Sequence, residues 1–110
     1  MRNKTSLFLG RWQPWHKGHQ TLVETTLKEG NNVIIAMRET PISEKDPYTT
    51  EERKGFIQKA MKEWGDKVQI ISIPDFDEVC YGRKVGWSIR EIKLDSEIES
   101  ISATKIRENK

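Results

Sequence analysis

Cysteine occurs once in this 110-residue chain, at Cys80. A single thiol excludes a disulfide framework within the chain, and a reducing cytoplasm is the expected setting. Histidine occurs only twice. That leaves a zinc site at the histidine pair without its remaining ligands. Neither sign of charge dominates: 19 Lys and Arg stand against 17 Asp and Glu, for a net charge of +2. Non-specific nucleic-acid binding needs a basic stripe, so RNA binding is disfavoured and any anion site must be local. No apolar run is long enough to cross a bilayer. Met1 to Ser6 is polar and lacks the apolar stretch of a signal peptide. The expectation is one compact domain over residues 1–110, cytoplasmic, with neither a nucleic-acid nor a membrane partner. That length is small for an α/β enzyme, which leaves completion by a homo-oligomer open.

What is present is periodic. Ser6-Leu7-Phe8-Leu9 reads as a buried strand ending at Gly10. From Lys17, Leu22, Val23, Thr26 and Leu27 share a helical face, with Gly30 as the residue after the cap. Val33 to Met37 is a continuous apolar run, as expected of a strand covered on both faces. Arg38 to Tyr48 reads as a loop. Thr49 and Glu52 form a capping-box signature for a second helix. Its stripe of Phe56, Ile57, Ala60, Met61 and Trp64 runs to a stop at Gly65. Val68 to Ile73 is a third strand, stopped by Pro74, and Asp75 to Val85 reads as a loop. Trp87 to Leu94 fits a fourth strand and almost as well a helix, and Ser102 can cap a last helix to about Glu108. The expected class is α/β, a Rossmann-like parallel sheet of four to five strands flanked by helices. Such sheets bind ligands beyond the carboxyl ends of their strands.

At that edge lies Gly10-Arg11-Trp12-Gln13-Pro14-Trp15-His16-Lys17-Gly18-His19. Gly10 allows a sharp turn and a close backbone approach. Gly18 leaves room at the helix start. His16 and His19, three residues apart, can point the same way. The helix N-terminus adds partial positive charge, and Arg11 and Lys17 add full charges. Many donors and few acceptors suit a polyphosphate. Trp12 and Trp15 either pack the loop against the sheet, which we weigh more heavily, or stack on a base. A second cluster, Ile101-Ser102-Ala103-Thr104-Lys105-Ile106-Arg107, offers hydroxyls at a helix start and a guanidinium one turn on. Alone it reads as an ordinary capped helix.

Together the two clusters resemble the HxGH nucleotidyltransferase superfamily. GRWQPWHKGH and ISATKIR match its two signatures, and the loop is most similar to that of archaeal-type nicotinamide mononucleotide adenylyltransferases. Asp46 to Arg53 resembles the segment before that group's second helix. The similarity covers residues 6–73 and 98–107; residues 74–97 do not match. The resemblance implies transfer of a nucleoside monophosphate from a nucleoside triphosphate to a phosphorylated small-molecule acceptor, with release of pyrophosphate. It implies that His16, His19 and Arg107 are catalytic. Gly10, Arg11, Trp12, Lys17, Gly18, Ser102, Ala103 and Thr104 would join them in binding the nucleotide. It also implies Mg²⁺ carried on the nucleotide phosphates rather than in a protein cage.

This chain departs from that group by compressing the region between the third strand and the C-terminal motif. Tyr81, Arg83 and Lys84 there, together with Arg38 after the second strand, are the candidate acceptor contacts, with a solvated loop as the equal alternative for Tyr81, Arg83 and Lys84. Cys80 reads as a buried or half-buried thiol. ATP is favoured over CTP because the loop is nearer the adenylyltransferase form, while the short chain leans towards cytidylyl transfer. A nucleotide-binding module without turnover is the reading from another class.

Overall fold

The structure, a computed structural model, describes residues 4–83, 86 and 88–94. Strands and helices alternate: β1 (Thr5–Gly10), α1 (Lys17–Lys28), β2 (Asn32–Glu39), α2 (Thr50–Ala60) and β3 (Val68–Pro74). A 3-10 turn over Lys62–Lys67 links α2 to β3. The strands lie in the order β1-β2-β3, all parallel, with Phe8 opposite Ile35 and Ile35 opposite Ile70. Parallel neighbours need crossovers, and right-handed crossovers that step in one direction place both helices on the same face. There Phe8, Val33, Ile35 and Met37 meet Val23 and Leu27 of α1, Ile57 of α2 and Met61 just after it. Burying a side chain of this kind contributes roughly 1.5–3 kcal/mol. The opposite face carries Leu7 and Leu9, both exposed, and the half-buried Ile34, Ile71 and Ile73. Among the described residues the sheet is therefore fully covered on one side only.

The end of α1 and the start of α2 follow the sequence signals. After α1, Gly30 takes φ +92°. Its N–H donates to the Leu27 carbonyl, and that of Asn31 donates to the Thr26 carbonyl, a Schellman closure that favours glycine at this position. At α2, Thr49 Oγ1 accepts from the Glu52 N–H at 3.0 Å, and Glu52 Oε1 accepts from the Thr49 N–H at 3.1 Å. This is the reciprocal capping box.

Three expectations change. First, α2 ends at Ala60, not at Trp64, and the chain continues as the 3-10 turn, kinked at Gly65 with φ +54°. Helical and 3-10 spacings both bring i and i+3 to one side, so an apolar stripe does not mark the change of winding. Met61 and Trp64 still pack on the core, but Phe56 is 40% exposed, edge-on to Tyr48. Second, β2 runs to Glu39, so Arg38 belongs to the strand rather than to a loop. Third, residues 88–94 form neither strand nor helix. A strand requires a ladder partner, and none of the three strands supplies one. Instead Arg90 grips both carboxylate oxygens of Glu29 at 2.8 Å, and Ile92 packs against the core. The sheet thus has three strands among the described residues, not four to five. Trp87 and the helix expected from Ser102 lie outside them.

Candidate active site

The carboxyl ends of the strands carry residues 11–16, residues 40–49 and the segment after Pro74, as the topology requires. Trp12 shapes the first of these. Its indole is buried and donates to the Ala36 carbonyl at 3.1 Å. Its backbone takes φ +52°. A non-glycine residue there costs of order 1–2 kcal/mol, which the buried ring and its hydrogen bond offset. The ring lies over Gly10, where a Cβ would come within 2.9 Å of it. A glycine at position 10 is thus required by the Trp12 ring itself. Gln13 locks the loop from below: its amide donates to the Tyr48 carbonyl at 3.0 Å and accepts from the Tyr48 N–H at 2.9 Å. Trp15 donates to Gln20 Oε1, and Gln20 donates to the Ala60 carbonyl, so the loop is also tied to α2.

On this base sit the two histidines. His16 is the N-cap of α1, and its Nδ1 accepts from the Gly18 N–H at 3.0 Å. His19 Nδ1 accepts from the His16 N–H at 3.2 Å. Imidazoles here take the parts that a hydroxyl and a carboxylate play in an ordinary capping box. An Nδ1 that accepts a proton donor fixes the neutral tautomer, so each ring carries its hydrogen on Nε2. The rings stack at 3.7 Å between centroids, with Trp12 and Trp15 against His19. Burial, together with the neighbouring His16, pushes the His19 pKa down to about 3; burial also lowers that of His16. At neutral pH the pair consists of two uncharged donors. Each takes up a backbone N–H at the helix start and offers an Nε2–H in its place.

The cationic residues divide. Arg11 is half exposed and lies 3.3 Å from Asp46. Lys17 is exposed, whereas Gly18 is buried. Arg38 donates twice to Asp75 Oδ1, at 2.7 and 3.0 Å, and once to the Phe76 carbonyl, with the Phe76 ring 4.7 Å from its guanidinium carbon. Tyr81 and Arg83 are exposed on the segment after β3. Cys80 is exposed, not buried, because that segment packs no second layer over it. Lys84, Ser102, Ala103, Thr104 and Arg107 lie outside the described residues. Sequence reasoning assigned no part to Gln13, Asp46, Tyr48 or Arg53. For Arg53 a signal existed: it falls on the buried stripe of α2, four residues before Ile57. Among the described residues no three His, Cys, Asp or Glu side chains gather to hold a metal ion.

A parallel α/β sheet with paired imidazole donors at a helix N-terminus on its carboxyl edge defines a nucleotide-binding class of protein. The chain belongs to the cytidylyltransferase-like family, which it matches over residues 7–77. It is 33% identical over 76 residues to a nicotinamide-nucleotide adenylyltransferase of Methanothrix thermoacetophila, covering 67% of this chain and 45% of the relative. A nicotinamide-nucleotide adenylyltransferase of Pyrobaculum arsenaticum is 32% identical over 132 aligned positions, covering 93% of this chain and 74% of that relative. That alignment is longer than the chain itself, so the relative contributes positions that this chain lacks. Among solved structures, the chain is similar to a bifunctional NMN adenylyltransferase/ADP ribose pyrophosphatase of Francisella tularensis, crystallised with AMP and a manganese ion. The TM-score is 0.60 and the identity 32%, covering 67% of this chain and 23% of that one. The chain spans less than half the length of several curated relatives it matches.

Proposed function

We propose that this chain, as one domain over residues 1–110, transfers AMP from ATP to nicotinamide mononucleotide and releases pyrophosphate. The observation that carries the reading is the pair of neutral Nε2–H donors of His16 and His19 at the carboxyl edge of the sheet. An oxygen of the acceptor phosphate attacks the α-phosphorus of ATP. The new P–O bond forms as the bond to the β-phosphate oxygen breaks, and pyrophosphate leaves with that electron pair. No proton transfer is needed, so neutral donors suffice; their task is to hold the phosphates and to stabilise charge as it moves outward. Arg11 adds a full charge beside them, and Ser102, Thr104 and Arg107 are assigned to the β- and γ-phosphates. Arg38, Tyr81, Arg83 and Lys84 are the acceptor candidates. Arg38 must then exchange part of its hold on Asp75 for the acceptor, or orient the loop instead. A divalent cation enters with the nucleotide and neutralises phosphate charge; the donor-rich site suits a metal carried by its substrate.

A second reading has its own support. The family match is to cytidylyltransferase-like proteins. Here CTP would react with a phosphorylated alcohol or sugar. Pyrophosphate release, measured with Mg-ATP or Mg-CTP over a panel of phosphorylated acceptors, separates the two. Release that requires ATP and nicotinamide mononucleotide together, with the dinucleotide formed, is the expected result. Release with CTP and a phosphorylated alcohol selects the second reading. Tight nucleotide binding without release for any acceptor makes the chain a binding module.

A further inference from the structure

Arg53 is fully buried, yet no described carboxylate lies within ion-pair distance of it; Asp46 and Glu39 act on its charge only from farther off. Its guanidinium is bound by neutral oxygens instead. Nη1 donates to the Arg11 and Arg38 carbonyls, each at 2.7 Å. Nη2 donates to Thr50 Oγ1 at 3.1 Å, and Nε to the Thr49 carbonyl at 3.3 Å. The first two carbonyls belong to different strand ends, one just past β1 and one near the end of β2. Burying a cation is expensive, and a well-packed apolar residue would usually stabilise a core at least as well. What an apolar residue cannot do is hold two backbone segments in register by charge-assisted hydrogen bonds from one planar group. Both clamped residues are themselves arginines, and their side chains lie at the edge assigned to substrate.

We infer that Arg53 is a positioning residue: by clamping the backbones of Arg11 and Arg38 it sets where these two guanidinium groups meet the phosphates. This deepens the nucleotidyl-transfer reading and rests on it. Arg53 touches no substrate and acts through Arg11 and Arg38.

The test measures Mg-ATP affinity by calorimetry on the full chain, with folding followed by circular dichroism. The proteins are wild type, Arg11→Ala, Arg53→Lys, Thr50→Val and the double variant Arg11→Ala/Arg53→Lys. Lysine keeps the buried charge but not the planar fork. Arg53→Lys is expected to stay folded and to bind Mg-ATP about tenfold more weakly, as is Arg11→Ala. The double variant is expected to be within about twofold of Arg11→Ala, because residues acting through one contact are not additive. Thr50→Val, which loosens a single bond of the clamp, is expected to weaken binding about two- to threefold. A folded Arg53→Lys with wild-type affinity, or a double variant whose losses multiply, reduces Arg53 to a core residue and overturns the inference. Should Arg53→Lys not fold, the same comparison with Thr50→Val and Arg11→Ala decides, and multiplying losses again overturn it. The outcomes separate the two levels. Wild type that binds neither Mg-ATP nor Mg-CTP defeats the nucleotidyl-transfer reading itself. Wild type that binds, is weakened by Arg11→Ala and shows no coupling to Arg53 defeats only the clamp.

Discussion

At the scale of single residues, His16 and His19 combine two tasks in one ring each. Nδ1 closes the helix start and Nε2 carries the ring hydrogen, so a substitution removes a cap and the proposed phosphate donor together. The cap is worth about 1 kcal/mol, whereas loss of a donor that acts on the transition state costs roughly 10²–10³ in rate. His19→Ala is therefore expected to lower pyrophosphate release at least about a hundredfold with a modest drop in melting temperature; wild-type turnover would remove His19 from the mechanism. The same ring gives the fold an acid dependence. The folded His19 titrates at about 3, against an ordinary value of 6.5. Between those values the unfolded chain binds the extra proton, so stability is complete above pH 6.5 and is lost as pH falls towards 3. The slope is at most about 1.4 kcal/mol per pH unit for one histidine. Urea midpoints of wild type should therefore fall more steeply between pH 7 and pH 4.5 than those of His19→Ala; parallel curves would contradict the depressed pKa. The pair at its helix start could be read from residue types and spacing. That its rings would be part-buried, neutral and locked by Nδ1 could not, because the burial of His19 depends on Trp12 and Trp15 packing against it.

At the scale of elements, local chemistry and local structure agree at both helix starts and at the Gly30 closure. Caps and closures involve residues within one turn, which spacing captures directly. Thr49→Ala should cost about 1 kcal/mol in chemical denaturation, through the lost acceptor for the Glu52 N–H. Gly10 is different, since its constraint comes from an indole two residues on that folds back over it. Gly10→Ala should cost about 1–3 kcal/mol by overpacking against the Trp12 ring and should alter tryptophan fluorescence. An unchanged melting temperature and spectrum would show that the ring can move aside. The switch from α2 to a 3-10 turn escaped the sequence because the two windings share their short-range spacing. The irregular path of residues 88–94 escaped it because strand alternation has meaning only where a ladder partner exists.

At the scale of the whole molecule, the sheet buries one face under α1 and α2 and leaves Leu7 and Leu9 exposed on the other. The first half of the proposed site is assembled between strand ends by long-range bonds: Gln13 to Tyr48, Arg11 to Asp46, and Arg53 to the carbonyls of Arg11, just past β1, and of Arg38 in β2. The second half of the proposed site belongs to Ser102, Thr104 and Arg107. If both ends of the chain hold one triphosphate, Arg107→Ala should weaken Mg-ATP binding about tenfold with no change in melting temperature, and its effect should couple to that of His19→Ala. Unchanged affinity in a folded Arg107→Ala would detach the C-terminal motif from the site.

Periodicity, capping residues and the two-histidine loop determined, from the sequence alone, the three strands, the two helices that start at Lys17 and Thr50, and the edge where phosphates would bind. These are properties of neighbours along the chain, set by backbone geometry that repeats every two or 3.6 residues. Only the tertiary structure decided that the Trp12 ring lies over Gly10. It likewise decided that the imidazoles are neutral and that Arg53 lies buried between two strand ends. Those outcomes rest on groups brought together from distant parts of the chain, where desolvation and the remaining hydrogen-bond partners, rather than local pattern, set the balance.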